Sequence, residues 1–168
     1  MADINENIVK LYFELEGYFV HQNLKYWVRK KTGAGESDID LAIYRSSPLD
    51  RAIIEVKGWH TETFSRSYFL PDFNWRLFNF MRPEATKEAT RFFKSNKFRK
   101  ILVVTRLSPN SRDEIIKACH KKGLEILEFD TILKKIIEKT EENIDYKHSE
   151  FQQAIRLMKV YGYLKEEK

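Results

Sequence analysis

The feature that most constrains this chain is an apolar run, KILVVT at 100–105, followed by a helix-patterned stretch and a second apolar run, LEILEF at 124–129. The stretch between them, Ser111 to Lys122, opens after Ser-Pro-Asn with Asp113 and Glu114 in its first turn and stops at Gly123. Carboxylates there face the positive end of the helix dipole. Two short apolar runs separated by one helix bury themselves by pairing in parallel, with the helix crossing one face in a right-handed sense. That unit predicts an α/β domain.

Upstream, residues 4–16 place Ile4, Ile8, Leu11, Tyr12 and Leu15 at helical spacing, with Gly17 as the stop and Asp3 as the cap. Glu6 stands three residues after Asp3, in the capping-box position. Residues 18–29 are aromatic and β-branched and predict a strand, and the two glycines of Lys31 to Ser37 predict a turn. The runs 38–44 (DIDLAIY) and 51–57 (RAIIEVK), joined by RSSPLD, predict an antiparallel strand pair. An aromatic stretch follows from Gly58 to Met81, interrupted by Pro71; a helix is then expected from Glu84 to Asn96. Residues 131–141 and 149–160 read as further helices. The expected architecture is a central mixed sheet flanked by helices on both faces. At 168 residues, the length suits a single domain. Its core would span about 3–129, with a helical C-terminal appendage over about 130–168.

Several classes are excluded. No apolar run approaches the roughly 20 residues of a membrane span, so no membrane partner is expected. The opening MADINENIVK lacks the basic-then-apolar layout of a secretory signal, so the expectation is an intracellular, cytoplasmic protein. A single cysteine, Cys119, excludes an internal disulfide and a cysteine metal cluster. The charge is uneven: residues 76–122 hold 13 basic and 4 acidic side chains, while the flanking thirds are each slightly acidic. A basic block beside an acid-rich segment suits a polyanion; a solvated lysine-rich helical surface gives the same count.

The chemistry concentrates at three positions. Glu55 and Lys57 are two apart on one strand, so their side chains leave the same face. A turn near Pro48 brings Asp40 opposite 55–57. Two carboxylates and an ammonium at the ends of apolar strands cost desolvation unless they are paired or hold a metal. Asp40 and Glu55 offer hard oxygen ligands suited to Mg²⁺ or Mn²⁺, and the Val56 carbonyl lies between the two side chains. Lys57 beside a metal-bound water could orient it or help it ionise. Asp38 and Glu36 are rivals to Asp40; Asp40 is preferred because Ile39 and Leu41 flank it within the apolar run.

Asp40 in SDIDLAIY, then Glu55-Val56-Lys57 in AIIEVKGW with 14 residues between Asp40 and Glu55, resembles the PD-(D/E)xK nuclease superfamily. Glu6, about three turns before Gly17 in ENIVKLYFELEGYFV, resembles the first helix of its small members, including archaeal Holliday-junction resolvases. Ile39 stands where the family's name has proline. The resemblance implies a restriction-endonuclease-like αβββαβ core with a C-terminal extension, and Mg²⁺-dependent hydrolysis of DNA, with Mn²⁺ as a substitute. By that analogy Asp40 and Glu55 would hold the metal, Glu6 would complete the site, and Lys57 would position the attacking water.

For the substrate, Lys87, Arg91 and Lys94 form a basic stripe at helical spacing, with Phe92 and Phe93 expected to anchor the opposite side. Arg29, Lys30 and Lys31 stand beside the glycine turn, where they could approach a phosphate. The aromatic stretch leaves three readings open: core filling, a homodimer interface, or base stacking. His60, three residues past Lys57, could contact phosphate or simply sit at the surface. The rival to a nuclease is a nuclease-like fold that binds nucleic acid without cutting it.

Overall fold

A computed structural model describes residues 3–30, 33–58, 60, 63–70, 77–140 and 149–164, leaving aside the side chains of Arg29 and Lys30. Helix α1 (Ile4–Leu15) starts at Asp3, whose side chain accepts the Asn5 amide at 3.3 Å. It ends at Gly17, which takes φ 82°. The Gly17 and Tyr18 amides donate back to the Glu14 and Phe13 carbonyls, closing the helix with a Schellman motif. Strands β1 (Phe19–Lys30), β2 (Gly33–Ser46) and β3 (Leu49–Lys57) form an antiparallel meander. Helix α2 (Pro83–Phe93), β4 (Arg99–Val104), α3 (Arg112–Lys121) and β5 (Leu124–Glu128) follow, then α4 (Phe129–Lys139) and α5 (Glu150–Val160).

The sheet runs β1-β2-β3-β4-β5 in sequence order, with β3, β4 and β5 parallel. It is the mixed sheet expected from the pattern of apolar runs. Its first face buries Leu24, Ile39, Ile53, Leu102 and Val104 against Ala85, Ala89 and Phe93 of α2 and Ile115 and Cys119 of α3. The second face buries Leu41, Ile54, Ile101 and Val103 against Val9 and Phe13 of α1, Ile132 and Ile136 of α4, and Ile155 of α5. No helix among the described residues is long and apolar enough to cross a membrane.

Two local expectations are corrected. Gly33 to Ser37 are strand, not turn: pairing continues from Lys25–Asp38 out to Lys30–Gly33, and Lys31 and Thr32 lie outside the described residues. Partners such as Tyr26 and Val28 hold the glycine-containing segment in the ladder despite its low strand propensity. The C-terminal helices are more than an appendage, because α4 and α5 supply core side chains to the second face. A parallel strand pair is apolar on both sides and needs that cover. At the start of β4, Arg99 binds Asp50 and Glu125, and Lys100 donates to Thr86 Oγ1 at 2.8 Å.

In the aromatic stretch, Phe64, Phe69, Phe78 and Phe80 fill the first-face core. Trp59, Phe73 and Trp75 lie outside the described residues. Phe92, expected to anchor α2, is instead 40% exposed and packs on the His21 ring; Phe93 carries the burial.

Candidate active site

The site begins with a break in two strands. In β2, Ile39 enters the first-face core and Leu41 the second, although residues two apart in a regular strand share a face. Strand β1 shows the same reversal: Leu24, paired with Ile39, belongs to the first face, and Val20, paired with Ile43, packs on the second. Between them Asn23 adopts φ 56°, and Asn23 and Asp40 are absent from an otherwise continuous set of paired residues. Asparagine tolerates the left-handed conformation better than most side chains. Asp40 therefore lies at a paired kink, out of the alternation that would commit it to either core.

The ladder between β2 and β3 also stops here, its last pair being Leu41–Ile54. Beyond it the Asp40 carboxylate takes over, with Oδ2 accepting the Val56 amide at 2.6 Å. Glu55 and Lys57 continue the Ile53 side of β3, as their spacing predicts, and Lys57 Nζ lies 2.5 Å from Glu55 Oε1. Glu55 is 5% exposed. Its other oxygen, Oε2, is buried with no hydrogen-bond partner among the described residues, and so is Glu6 Oε2.

Glu6 comes from the first turn of α1. The docking of that turn is set by a contact the sequence conceals. Asn5, 7% exposed, packs on Gly58, where a Cβ atom would meet Asn5 Nδ2 at 2.2 Å. Asn5 Oδ1 is paired with His60 Nε2 at 2.7 Å, and Asn5 Nδ2 donates to Asp3 Oδ2 at 3.2 Å. Helix α1 is thus seated directly against the residue that follows Lys57.

The three carboxylates feel one another. Burial and the Asp40 charge push Glu55 up to about 8, against the pull of Lys57. Burial likewise raises Asp40, opposed by the Val56 amide and Lys57. Glu6 is raised by burial, then by Asp40, Asp3 and Asp38, while the Asp3 backbone amide lowers it. Burial works against the Lys57 ammonium, but Glu55, Asp40 and Glu6 outweigh it and hold it above its ordinary value. The cluster has an excess of negative charge and two uncommitted buried oxygens. Among the described residues no three His, Cys, Asp or Glu side chains already form a metal cage. Val56 engages one oxygen of Asp40, and Lys57 one oxygen of Glu55. The free oxygens of Glu55 and Glu6 are hard donors of the kind Mg²⁺ takes, so the residues present fit a divalent cation.

Of the rivals to Asp40, Asp38 is exposed, although its charge also raises Glu6, Asp40 and Glu55, and Glu36 binds Lys25 at 2.7 Å on the surface. The described residues expected to grip phosphate stand on α2 and β1. Lys87 is exposed on α2, Arg91 is paired with Glu88 at 3.0 Å, and Lys94 caps the helix with φ 50°. The described backbone of Arg29 and Lys30 belongs to β1, and Lys31 lies outside the described residues. Asn5, Gly58 and Asn23 escaped the sequence reading; only the adjacency of Asn5 to Glu6 and of Gly58 to Lys57 hinted at the first two. No protein-family model, curated protein or solved structure matches the chain.

Proposed function

We propose that the protein is a metal-dependent deoxyribonuclease of the PD-(D/E)xK type, with a restriction-endonuclease-like core, acting on branched or otherwise structured DNA. The observation that carries the reading is the convergence of Glu6, Asp40 and Glu55, all with raised proton affinity, around two unpartnered buried oxygens and the Lys57 ammonium. Asp40, Glu55 and Glu6, with the Val56 carbonyl, would hold Mg²⁺ or, in its place, Mn²⁺. When bound, that ion supplies Lewis acidity and a more acidic water.

The chain's own residues do the rest. Val56 N–H fixes the Asp40 carboxylate, and Asn5 against Gly58 seats the turn that carries Glu6. Lys57 positions the attacking water and offsets charge at the phosphate. Water oxygen bonds to phosphorus, the bond from phosphorus to the leaving sugar oxygen breaks, and that oxygen departs with a proton. The net positive segment 76–122 forms α2, β4 and α3, and both helices cover the first face, toward which the Glu55 side of β3 points. Positive charge on that side suits a phosphate backbone.

The competing reading, a nucleic-acid-binding module that does not cut, is favoured by one contact, the ion pair through which Lys57 already neutralises part of Glu55. Cleavage decides between them. Linear, flapped and four-way-branched DNA are each incubated with wild type and Lys57→Ala, in Mg²⁺, Mn²⁺ or EDTA. Wild type nicks at least one substrate only with metal, and the variant loses roughly 100-fold or more. DNA binding without cleavage by wild type in either metal would establish the binding module.

A further inference from the structure

A cleft of about 240 Å³ opens where the three parallel strands end. His60 follows β3, Thr105 and Arg106 follow β4, and Phe129 follows β5; Thr63 and Leu133 complete the lining apart from one acid. In open α/β sheets, the crevice beyond the carboxyl ends of the strands is where ligands bind. We infer that this cleft is a subsite for a backbone phosphate of the nucleic-acid strand, flanking the phosphate that is cut. The inference rests on the nuclease reading above.

Its rim is stitched rather than loose. The Phe64 amide donates to the Arg106 carbonyl at 2.8 Å, and the Ser108 amide to the Phe64 carbonyl at 3.0 Å. Phe64 also bridges to Leu107, whose amide donates to Glu128 Oε2 at 3.0 Å. Thr63 and Arg106 are therefore held on adjacent, mutually bonded segments. The His60 ring is fixed by Asn5 and by an edge-on contact with Phe129, centroids 5.1 Å apart.

The lining has the chemistry for phosphate: a guanidinium, an imidazole and two hydroxyls above an apolar floor. The remaining lining group is Asp130, whose carboxylate is engaged by Lys134 at 3.0 Å. No carboxylate among the described residues pairs with the exposed Arg106. At 240 Å³ the cleft is below the roughly 300–1,000 Å³ of small-molecule pockets, so it suits a phosphate and sugar of a longer strand. Its place next to the carboxylates follows from His60, which is bonded to the residue preceding Glu6.

The test is the salt dependence of binding to a fluorescein-labelled duplex and its four-way-branched counterpart, in EDTA so that nothing is cut. Arg106→Gln is compared with Lys135→Gln, which removes the same charge from the exposed side of α4, outside the basic segment. Losing a real phosphate contact weakens binding and reduces the slope of log affinity against log salt by about one. Lys135→Gln leaves the slope at the wild-type value. Equal slopes for Arg106→Gln and wild type would overturn the inference while leaving the nuclease reading intact. Inorganic phosphate is titrated in parallel by ³¹P NMR: sensitivity to Arg106→Gln there, but not with DNA, would mean a free-anion site and also overturn it. A changed slope in a protein that never cuts with Mg²⁺ would remove the nuclease reading and keep the subsite. No DNA binding at all would remove both.

Discussion

Glu55 is nearly sealed from solvent beside a second carboxylate, and one ammonium partly compensates it. Its folded value of about 8 stands above the ordinary 4.5, so between the two the folded chain holds a proton that the unfolded chain has released. The sign follows from linkage. Without a cation, this group's contribution to stability is fully present below about pH 4.5, declines as pH rises toward about 8, and is gone above it. Asp40 and Glu6, also raised, act in the same direction. Urea unfolding in EDTA should therefore show stability falling from about pH 5 to about pH 8 in wild type, with a clearly shallower decline in Glu55→Gln. A wild-type stability that climbs over that range would mean that Glu55 is ionised throughout. The identity of Glu55, Lys57 and Asp40 was legible because charges at the ends of apolar runs are conspicuous. That Asp40 sits at a kink was not, since only the positive φ of Asn23 on a neighbouring strand reveals it.

At the scale of elements, strands announced themselves wherever an apolar run was short and bounded, as in β3, β4 and β5. The β1–β2 hairpin departs from expectation because Gly33 and Gly35 have low strand propensity, whereas cross-strand partners decide a ladder. The contact that seats α1 joins residues 5 and 58, and no local pattern encodes such a pairing. It has a measurable consequence. Gly58→Ala places a Cβ inside Asn5 and should destabilise the fold by about 1–3 kcal/mol, the usual cost of overpacking. Adding Asn5→Ala removes the obstructing amide, so the double variant should lose less than the sum of the two single variants. Strict additivity in chemical denaturation would show that α1 does not bear on Gly58.

Over the whole molecule, charge and layering coincide. The basic third of the chain becomes α2, β4 and α3, two of them the helical cover of one face, while the slightly acidic terminal thirds supply α1, α4 and α5 to the other. The carboxylate cluster lies where the sheet's antiparallel and parallel halves meet, at the end of β3. Layering was legible from element order; the integration of α4 and α5 into the second face was not, because their helical pattern does not say which surface they cover. On the proposed function, this junction holds a divalent cation. Titration calorimetry with Mn²⁺ at about pH 8, on wild type and Asp40→Asn, tests it without any DNA. The account predicts saturable binding by wild type, weaker at lower pH where Glu55 keeps its proton, and affinity reduced about 100-fold or more in Asp40→Asn. Absence of binding by wild type, or equal affinity in the two proteins, would contradict it.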